Sequence, residues 1–465
     1  MREREKVLEH FRNPEVRAML QENIEKYRKG KATVTVLDAE GKPVAGASVQ
    51  LVHKKHECKF GANLFMLEEF ETPEKNELYK KYFSDVFTMA TLPFYWNATE
   101  PQKGHFRYEK GSAPMYRRPP IDLCMEFCEE MGIEPREHAL AYDFQFPKWL
   151  KDLSPEEVKA ELERRYQEIS SRYADKIPTI EVTNELNWPE GMNVTSFYEQ
   201  PDFLTWCYEM AEKYFPNNQI AINEAMNESW LQRGRVTDIY YSYIENLLLK
   251  GKRIDAIGMQ FHALTAHDMI PTEYQRMMPV MYNPEKVLSR LNLYARFGKP
   301  LQITEITLSA AGPEPENEEI QAELLEGLYS TWFAHPNVEQ IIYWNLVDGY
   351  AYVNSDDPKV IKKSMGDMTI GENRFYGGLL RFDMTPKPAY YRLKELLQKK
   401  WHTEVESTTD ENGQLTFHGY FGEYEIEVCC PGGVPKKYTM THSAQKNSEI
   451  EICTTVEGVD GCGAK

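Results

Sequence analysis

Short apolar runs alternate with longer amphipathic stretches along the middle of the chain, between about residues 56 and 400. The amphipathic stretches have the period of helices. The clearest begins with Ser154 as N-cap, Pro155 at the first helical position and Glu157 completing a capping box. The eight apolar runs cover residues 58–65, 86–96, 134–144, 179–186, 219–226, 254–263, 301–308 and 340–348. Strand and helix repeated eight times predict an α/β fold, a (β/α)8 barrel of the TIM type.

A doubly wound open sheet is the alternative interpretation of the same alternation. Such a sheet needs a Gly-rich phosphate-binding loop directly after its first strand. Residues 61–70, GANLFMLEEF, do not form a loop of that kind. The pattern therefore favours the closed barrel.

The two ends of the chain show a different pattern, in which apolar and polar residues alternate with the period of strands. After an opening helical stretch, residues 32–53 predict two antiparallel strands around the turn AEGKPV. Short alternating strands also occur within residues 413–430 and 446–453. Two strands alone do not make a stable sheet. We therefore expect the N-terminal hairpin (within residues 1–55) and the C-terminal strands (401–465) to join into one small β-sandwich, with the barrel (56–400) inserted between its halves.

Composition narrows the classes of partner. The chain has 465 residues and a formal net charge of −18, which argues against nucleic acid or an anionic membrane surface as a partner. Aromatic residues make up 12% of the chain, a content that suits stacking on sugars. The charged start, MREREKVLEHFRNPEVRAML, predicts no signal peptide, and no run of 18 apolar residues predicts a membrane span. These features predict a cytoplasmic protein.

Metal and cofactor signals are also weak. None of the eight cysteines forms a paired Cys-x-x-Cys signature, so free thiols are expected. We predict no metal and no cofactor, and the sequence leaves the oligomeric state open.

Polar residues collect where the predicted barrel strands end. In a (β/α)8 barrel the carboxyl ends of all the strands meet at one mouth, where active sites lie. Strand ends are often polar only because they meet water, but here bulky apolar residues follow several of them, and partial dehydration raises the pKa of a carboxyl group. The strand-end residues are Glu100, His138, Asp143, Asn184, Glu185, Asn223, Glu224, Gln260, His262, Glu305, Trp344 and Asp348. His267 and Asp268 follow the sixth strand and either line the cleft or belong to a solvated loop.

Two of these residues form a pair that suits glycoside hydrolysis. Glu185 ends the fourth predicted strand and Glu305 ends the seventh, on opposing sides of an eight-stranded ring. One carboxyl can protonate the leaving oxygen while the other attacks the anomeric carbon or activates water. We expect His262 and neighbouring donors to keep Glu305 ionised.

The same residues lie in segments that resemble family 10 of the glycoside hydrolases, the family of many retaining endo-β-1,4-xylanases. The resemblance implies that Glu185 is the general acid/base and Glu305 the nucleophile. It implies contacts with the sugar or the nucleophile for Asn184, His138, Gln260, His262 and Trp344. The matching segments occur in the family's order and cover residues 96–109, 137–150, 181–188, 220–227, 257–263, 301–308, 341–352 and 378–395.

The sequence departs from the family where the sugar beyond the cleavage point would be held. TLPFYW stands where xylanases usually have Glu-Asn-x-Met-Lys-Trp, so Tyr95 replaces the Lys. HALAYD replaces His-Thr-Leu-Val-Trp-His, which introduces Tyr142 and Asp143, and Tyr352 replaces a Trp. We expect Tyr95, Asp143 and Tyr352 to contact the substrate, with Asp143 adding a carboxylate to the site.

These departures predict a retaining hydrolase of xylose-containing oligosaccharides or unusual xylosides rather than of plain xylan. The alternative is a non-catalytic carbohydrate-binding barrel. A phosphate-handling barrel is a weaker alternative, since it needs a Gly-rich loop near strands seven and eight, and LVDGYAY offers one Gly.

Overall fold

The structure, a computed structural model, describes residues 5–187, 192–226, 230, 238–266, 269, 272, 276–277, 279–353, 355, 357–444 and 448–453. The chain divides into two compact units. The first contains Met1–Val16, Phe60–Trp332 and Asn337–Leu393, and the second contains Arg17–Lys59, Phe333–Pro336 and Lys394–Lys465. A division by contacts does not measure independent folding, so the domain boundaries after residues 55 and 400 stay a prediction.

The strands are numbered along the chain. They are β1 (Lys29–Leu37), β2 (Ser48–His56), β3 (Lys59–Asn63), β4 (Met89–Pro93), β5 (Glu134–His138), β6 (Thr179–Thr183), β7 (Gln219–Glu224), β8 (Ala256–Ala263), β9 (Leu301–Leu308), β10 (Val338–Tyr343), β11 (Glu404–Thr408), β12 (Gln414–Tyr420), β13 (Gly422–Cys429), β14 (Lys436–His442) and β15 (Ser448–Cys453).

The helices of the described residues are Glu9–Arg12, Pro14–Arg28, Pro73–Ser84, Trp96–Thr99, Ile121–Met131, Pro155–Tyr173, Phe203–Tyr214, Ile239–Leu249, Pro284–Ala295, Pro315–Phe333, Pro358–Ser364 and Pro388–Glu395. The predicted capping box is present, because the Ser154 side chain accepts from the backbone of Glu157 and the Glu157 side chain accepts from the backbone of Ser154. Within the described residues, no helix combines the length and the apolar character that a membrane span requires.

Eight strands close the barrel in the order β10-β3-β4-β5-β6-β7-β8-β9. Seven of the predicted runs contain one of these parallel strands and the eighth overlaps β10, which begins earlier at Val338, so the predicted fold class is confirmed. All residues of β4, β6 and β9 are buried, because one face of each strand packs inside the barrel and the other packs under the helices.

A glycine in β8 sets the spacing of strands near the mouth. A Cβ atom on Gly258 would lie 2.6 Å from Oδ1 of Asn223 and 2.9 Å from the carbonyl oxygen of Ile222. Any larger residue would therefore push β7 away and displace Asn223, which is a central residue of the candidate site described below.

The remaining strands form a sandwich from the two ends of the chain. One sheet has the order β12-β1-β15 and the other β11-β2-β13-β14. The two inner faces share one core, which includes Val34, Val49, Leu51 and Ile426. The N-terminal strands therefore pair with C-terminal strands, as predicted.

The predicted N-terminal hairpin is wrong, because β1 and β2 belong to different sheets. Each strand buries one face, since every second residue is buried along part of its length: Ala32, Val34 and Val36 in β1, and Val49, Leu51 and His53 in β2. Two such faces bury more apolar surface when they face each other across a sandwich than when they lie side by side. The connection between them thus crosses from one sheet to the other.

Candidate active site

The end of β6 places Glu185 at the barrel mouth in an unusual backbone conformation. Glu185 has a φ of 49°, in the left-handed region that residues other than glycine seldom adopt. The next residue fixes this turn, since the backbone N–H of Leu186 donates to Oε2 of Glu224 at 2.9 Å. Backbone strain of this kind is concentrated at functional sites.

Gln260 of β8 connects the two predicted catalytic carboxylates. Its Nε2 donates to Oε1 of Glu185 at 3.1 Å and to Oε1 of Glu305 at 2.9 Å. These two distances to one nitrogen, 3.1 Å plus 2.9 Å, limit the separation of the two carboxylate oxygens to 6.0 Å at most. The barrel therefore brings the predicted pair together across its mouth.

Asn223, at the end of β7, is a second connecting residue. Its Nδ2 donates to Oε1 of Glu305 at 3.0 Å and to Oδ1 of Asn184 at 2.9 Å, and its Oδ1 accepts from the Thr304 hydroxyl at 2.6 Å. The sequence marked Asn223 only as a polar strand end. The sequence feature that pointed to Asn223 is the Asn-Glu pair, which occurs directly after β6 and again at the end of β7.

His262 lies against Glu305, as the resemblance implied. Its Nε2 is 3.4 Å from Oε2 of Glu305, and its Nδ1 is 2.9 Å from the Thr307 hydroxyl oxygen. Burial lowers the pKa of His262, which favours the neutral imidazole. His262 therefore orients Glu305 without supplying a positive charge.

The protonation of Glu305 differs from the sequence-based expectation. Burial raises the pKa of Glu305 to about 8; the His138 cation lowers it, and the nearby Glu185 carboxylate raises it. Burial and the neighbouring carboxylate both favour the protonated form of Glu305. In the ligand-free protein Glu305 is thus not held ionised by its donors.

A buried ionic chain lies beneath the pair. Nδ1 of His138 is 2.8 Å from Oε1 of Glu181, and Nη1 of Arg136 donates to Oε2 of Glu181 at 2.5 Å. Burial opposes the charge on both partners, but the pair is strong enough to raise the pKa of His138 and to lower the pKa of Glu181. The raised pKa favours the protonated form of His138, whose charge acts on Glu305.

Aromatic rings form one wall of the mouth. The Trp344 ring centroid is 5.0 Å from that of Phe65 and 5.4 Å from that of His138, and the Tyr95 hydroxyl is 2.9 Å from Nε2 of His138. Tyr352 lines a neighbouring pocket. The structure thus groups Trp344 and Tyr95 with His138, and places Tyr352 on the adjoining surface.

Tyr142 touches the predicted acid/base directly. Its hydroxyl donates a hydrogen bond to Oε2 of Glu185. The sequence identified Tyr142 only as a replacement for the family's Trp. A contact made by a side chain from an irregular segment has no periodic signal by which sequence reasoning could have found it.

Asp143 does not present its carboxylate to the substrate, so this expectation is corrected. The residue has no exposed surface, and its Oδ1 accepts from the backbone N–H groups of Val194 at 2.6 Å and Thr195 at 2.9 Å. The Thr195 hydroxyl also donates to it. Asp143 therefore anchors the loop after β6, because two backbone donors there lack a strand partner.

Two other polar strand ends have structural partners. Glu100 accepts from Nε1 of Trp96 at 2.9 Å and pairs with Arg164, and Asp348 pairs with Nζ of Lys387 at 2.6 Å. Neither belongs to the group around Gln260. His267 and Asp268 lie outside the described residues.

Comparison with known proteins gives a consistent family. The sequence profile of Glycosyl hydrolase family 10 matches residues 48–395. The chain is 24% identical to the anti-sigma-I factor RsgI6 of Acetivibrio thermocellus over 90% of this chain and 47% of the relative. It is also 24% identical to endo-1,4-beta-xylanase 2 of Arabidopsis thaliana over 81% of this chain and 30% of the relative. The chain thus spans less than half the length of these two curated relatives.

Solved structures share the barrel. Native xylanase 10B from Thermotoga maritima superposes with a TM-score of 0.56 at 21% identity, over 74% of this chain and 96% of that one. Xylanase 10B from Thermotoga petrophila, solved with xylobiose, gives a TM-score of 0.55 at 21% identity, over 74% of this chain and 95% of that one. At this identity the likeness supports the fold.

Proposed function

Because this chain belongs to glycosyl hydrolase family 10, we propose that it hydrolyses β-linked xylose-containing glycans or xylosides with retention of configuration. The observation that carries the proposal is the shared donor of Glu185 and Glu305, which keeps their nearest oxygens within 6.0 Å. Retaining enzymes hold their carboxyl groups ~5–5.5 Å apart, whereas inverting enzymes need ~6.5–9.5 Å to admit a water.

The first step assigns opposite tasks to the two carboxyls. Glu305 attacks the anomeric carbon, and the bond from that carbon to the leaving oxygen breaks as Glu185 gives that oxygen its proton. The product is a glycosyl ester on Glu305. Burial raises the pKa of Glu305, so the attack requires that Glu305 be ionised and Glu185 protonated when the substrate is bound.

The second step reverses the roles. Glu185, now ionised, removes a proton from water, and the water oxygen attacks the anomeric carbon and releases Glu305. Loss of the negative charge on Glu305 during the ester stage removes the repulsion that disfavours an ionised Glu185. Gln260 remains close to both residues and keeps them aligned.

Asn184 is positioned to bind the sugar 2-hydroxyl. Its Oδ1 accepts from Asn223 at 2.9 Å and from Gln260 at 3.1 Å, so its Nδ2 remains to donate to a ligand. Trp344, which packs against Phe65 and His138, offers an apolar ring in the same mouth. A hydrogen bond to the 2-hydroxyl that strengthens in the transition state contributes several kcal/mol in this chemistry.

The substrate we favour is an oligosaccharide or an unusual xyloside. The Tyr95 hydroxyl is hydrogen-bonded to His138, so it does not replace the hydrogen bonds that a Lys would give to a sugar. Plain linear xylan should therefore be a poor substrate. Rapid release of xylobiose from unsubstituted xylan would contradict this specificity.

A hydrolysis screen tests the proposal. The protein is incubated with 4-nitrophenyl β-xyloside, β-glucoside and β-arabinoside and with linear and branched xylo-oligosaccharides, and the product anomer is followed by NMR. We expect the β-anomer from a β-xyloside, and Glu305→Ala should form no product. Binding of oligosaccharides without any hydrolysis would favour the alternative, a non-catalytic carbohydrate-binding barrel.

A further inference from the structure

We propose that Arg117 and Arg118 form a subsite for the carboxylate of a uronic acid carried by the glycan substrate. The proposal deepens the proposed function, on which it rests. Both residues are buried, with 3% and 8% of their surface exposed. Among the described residues, neither guanidinium forms an ion pair with a carboxylate.

Their hydrogen bonds leave most donors unused. Nη1 of Arg117 donates to the carbonyl oxygen of Tyr350 at 2.7 Å, and its buried Nε has no hydrogen-bond partner in the described part of the chain. Nη1 of Arg118 donates to the carbonyl oxygen of Arg117 at 2.9 Å. Each guanidinium has five N–H donors, so both retain capacity for a ligand.

Other buried arginines of the same unit have the partners that Arg117 and Arg118 lack. Arg136 pairs with Glu181 at 2.5 Å. Arg165 has no carboxylate partner, but its guanidinium donates to three backbone carbonyl oxygens and one hydroxyl. Buried charges are normally paired or fully hydrogen-bonded, because an unpaired one costs several kcal/mol. Arg117 and Arg118 satisfy neither condition in the ligand-free protein.

The two arginines line a pocket of about 620 Å³. Lys148 also lines it, and none of the described lining residues is acidic. This is unusual for a chain with a net charge of −18. Pockets of this size hold ligands as large as one or more sugar rings.

The pocket adjoins the aromatic wall of the active site. The Arg118 guanidinium lies 4.1 Å from the centroid of the Tyr95 ring, and the Tyr95 hydroxyl is hydrogen-bonded to His138. Tyr352 lines the same pocket. An anion held by Arg118 would therefore lie one ring away from the residues that surround the catalytic carboxyls.

The role of Asp143 fits this arrangement. Val194 lines the pocket, and its backbone N–H is held by Asp143 at 2.6 Å. Asp143 thus holds the pocket wall in place, while its carboxylate accepts hydrogen bonds within the loop. The change from the family's His to Asp143 shapes a cationic pocket rather than an acidic one.

A carboxylate matches the donors better than other substituents. A guanidinium presents planar, paired N–H groups that fit the two oxygens of a carboxylate. Burial lowers the pKa of Arg118 to about 10, so the guanidinium still carries its charge at neutral pH. Tyr116, Gln145 and Ser355 also line the pocket and offer hydroxyl and amide groups to the rest of an acidic sugar.

The test compares acidic and neutral forms of one substrate. Xylo-oligosaccharides substituted with glucuronic acid are assayed beside the same mixture after chemical reduction of the carboxyl group to an alcohol. We expect kcat/KM to be at least ~10-fold higher for the acidic form, the scale of a charged hydrogen bond. Arg118→Gln should bring the ratio close to one, because it removes the guanidinium that distinguishes the carboxylate from the alcohol. Arg172→Gln, which removes an exposed arginine, serves as the matched control.

Three results would each overturn the inference while leaving the proposed function standing. The first is equal hydrolysis of the acidic and reduced substrates by the native protein. The second is an equal loss on both substrates in Arg118→Gln. The third is inhibition by inorganic sulfate as strong as inhibition by free glucuronate.

A binding experiment keeps the inference testable if no substrate is hydrolysed. Calorimetric titration of the acidic oligosaccharides into Glu305→Gln reports affinity without turnover. Tighter binding of the acidic form than of the reduced form, lost in the additional Arg118→Gln substitution, would support the subsite even where hydrolysis failed. Equal affinities would reject it.

Discussion

The hydroxyl of Tyr142 donates a hydrogen bond to Oε2 of Glu185, the proposed acid/base. The other oxygen of the same carboxyl accepts from Gln260 at 3.1 Å. Donors on both oxygens fix the orientation of the carboxyl at the barrel mouth. The family's usual Trp has no hydroxyl, so this contact is a property of the present chain.

Removing the Tyr142 hydroxyl should slow the steps in which Glu185 transfers a proton. We expect Tyr142→Phe to lower kcat on unactivated oligosaccharides by about 10-fold or more, since a hydrogen bond to a charged group contributes ~1.5–3 kcal/mol. The first step should be slowed less for an aryl xyloside with a good leaving group, because that leaving group needs no proton from Glu185. Tyr214→Phe is the control, because it removes a comparable hydrogen bond elsewhere in the protein: the Tyr214 hydroxyl donates to Oε1 of Glu163 over a distance of 2.9 Å. Equal kcat values for Tyr142→Phe and the native protein would show that the contact has no catalytic role.

Loss of the two carboxyls should have different consequences. Glu305→Ala should abolish cleavage of every glycoside, because no covalent intermediate can form. Glu185→Ala should lose activity on poor leaving groups but still form the intermediate from an activated aryl xyloside, and azide should then accelerate turnover. Steady-state rates with and without azide measure the difference. If Glu185→Ala loses activated and unactivated substrates equally and azide rescues neither, Glu185 is not the acid/base.

The raised pKa of Glu305 should appear as a pH-dependent cost in stability. Below the ordinary value of 4.5 the folded and unfolded states both hold the proton, so no cost arises. As the pH rises from 4.5 towards about 8, the unfolded carboxyl is ionised while burial opposes ionisation in the folded state, and stability is lost. Glu305→Gln removes this loss.

Thermal or urea unfolding of Glu305→Gln and of the native protein at pH 5 and at pH 8 measures this cost. We expect the advantage of the variant to grow by at least about 1.4 kcal/mol between the two, the free energy of one pKa unit. The exposed Glu130→Gln should show no such trend. A constant difference across this pH range would contradict the assignment of the raised pKa.

Asp143 should stabilise the loop that it anchors. Asp143→Ala leaves the backbone N–H groups of Val194 and Thr195 without their acceptor, and an unsatisfied buried donor costs about 1–3 kcal/mol. Asp143→Asn keeps one acceptor oxygen and should lose less. The free energy of unfolding in urea gives the comparison, with the exposed Asp152→Ala as control. An Asp143→Ala protein as stable as native would show that the loop does not depend on this anchor.

The sequence predicted the central residues of the site because they follow regular elements. Glu185, Gln260 and Glu305 lie at or near the carboxyl ends of barrel strands, and barrel geometry brings those ends to one mouth. The period of the pattern is therefore sufficient to group them. The connecting role of Asn223 needed atomic distances, since its three acceptors, Glu181, Asn184 and Glu305, lie in or directly after other strands.

The residues of the site that could not be predicted from the sequence lie in irregular segments. Arg117 and Arg118 lie in a loop without periodicity, and Tyr142 follows the end of β5. The partner of Asp143 lies about fifty residues further along the chain, which no local pattern specifies. The alternation in β1 and β2 predicted strands with one apolar face, but an apolar face does not specify which sheet a strand joins.

The sandwich has a consequence for how the protein is made. Thr33 of β1 lies beside Thr416 of β12, 383 residues away in sequence. Domains tend to fold in order of synthesis. Contacts between distant segments form late, because the entropy of closing a long loop is lost before the contacts stabilise the fold. β1 and β2 are thus synthesised long before the strands beside which they lie in the two sheets. A nascent chain that stalls before β11 would present β1 and β2 with open edges, which are templates for pairing with other chains.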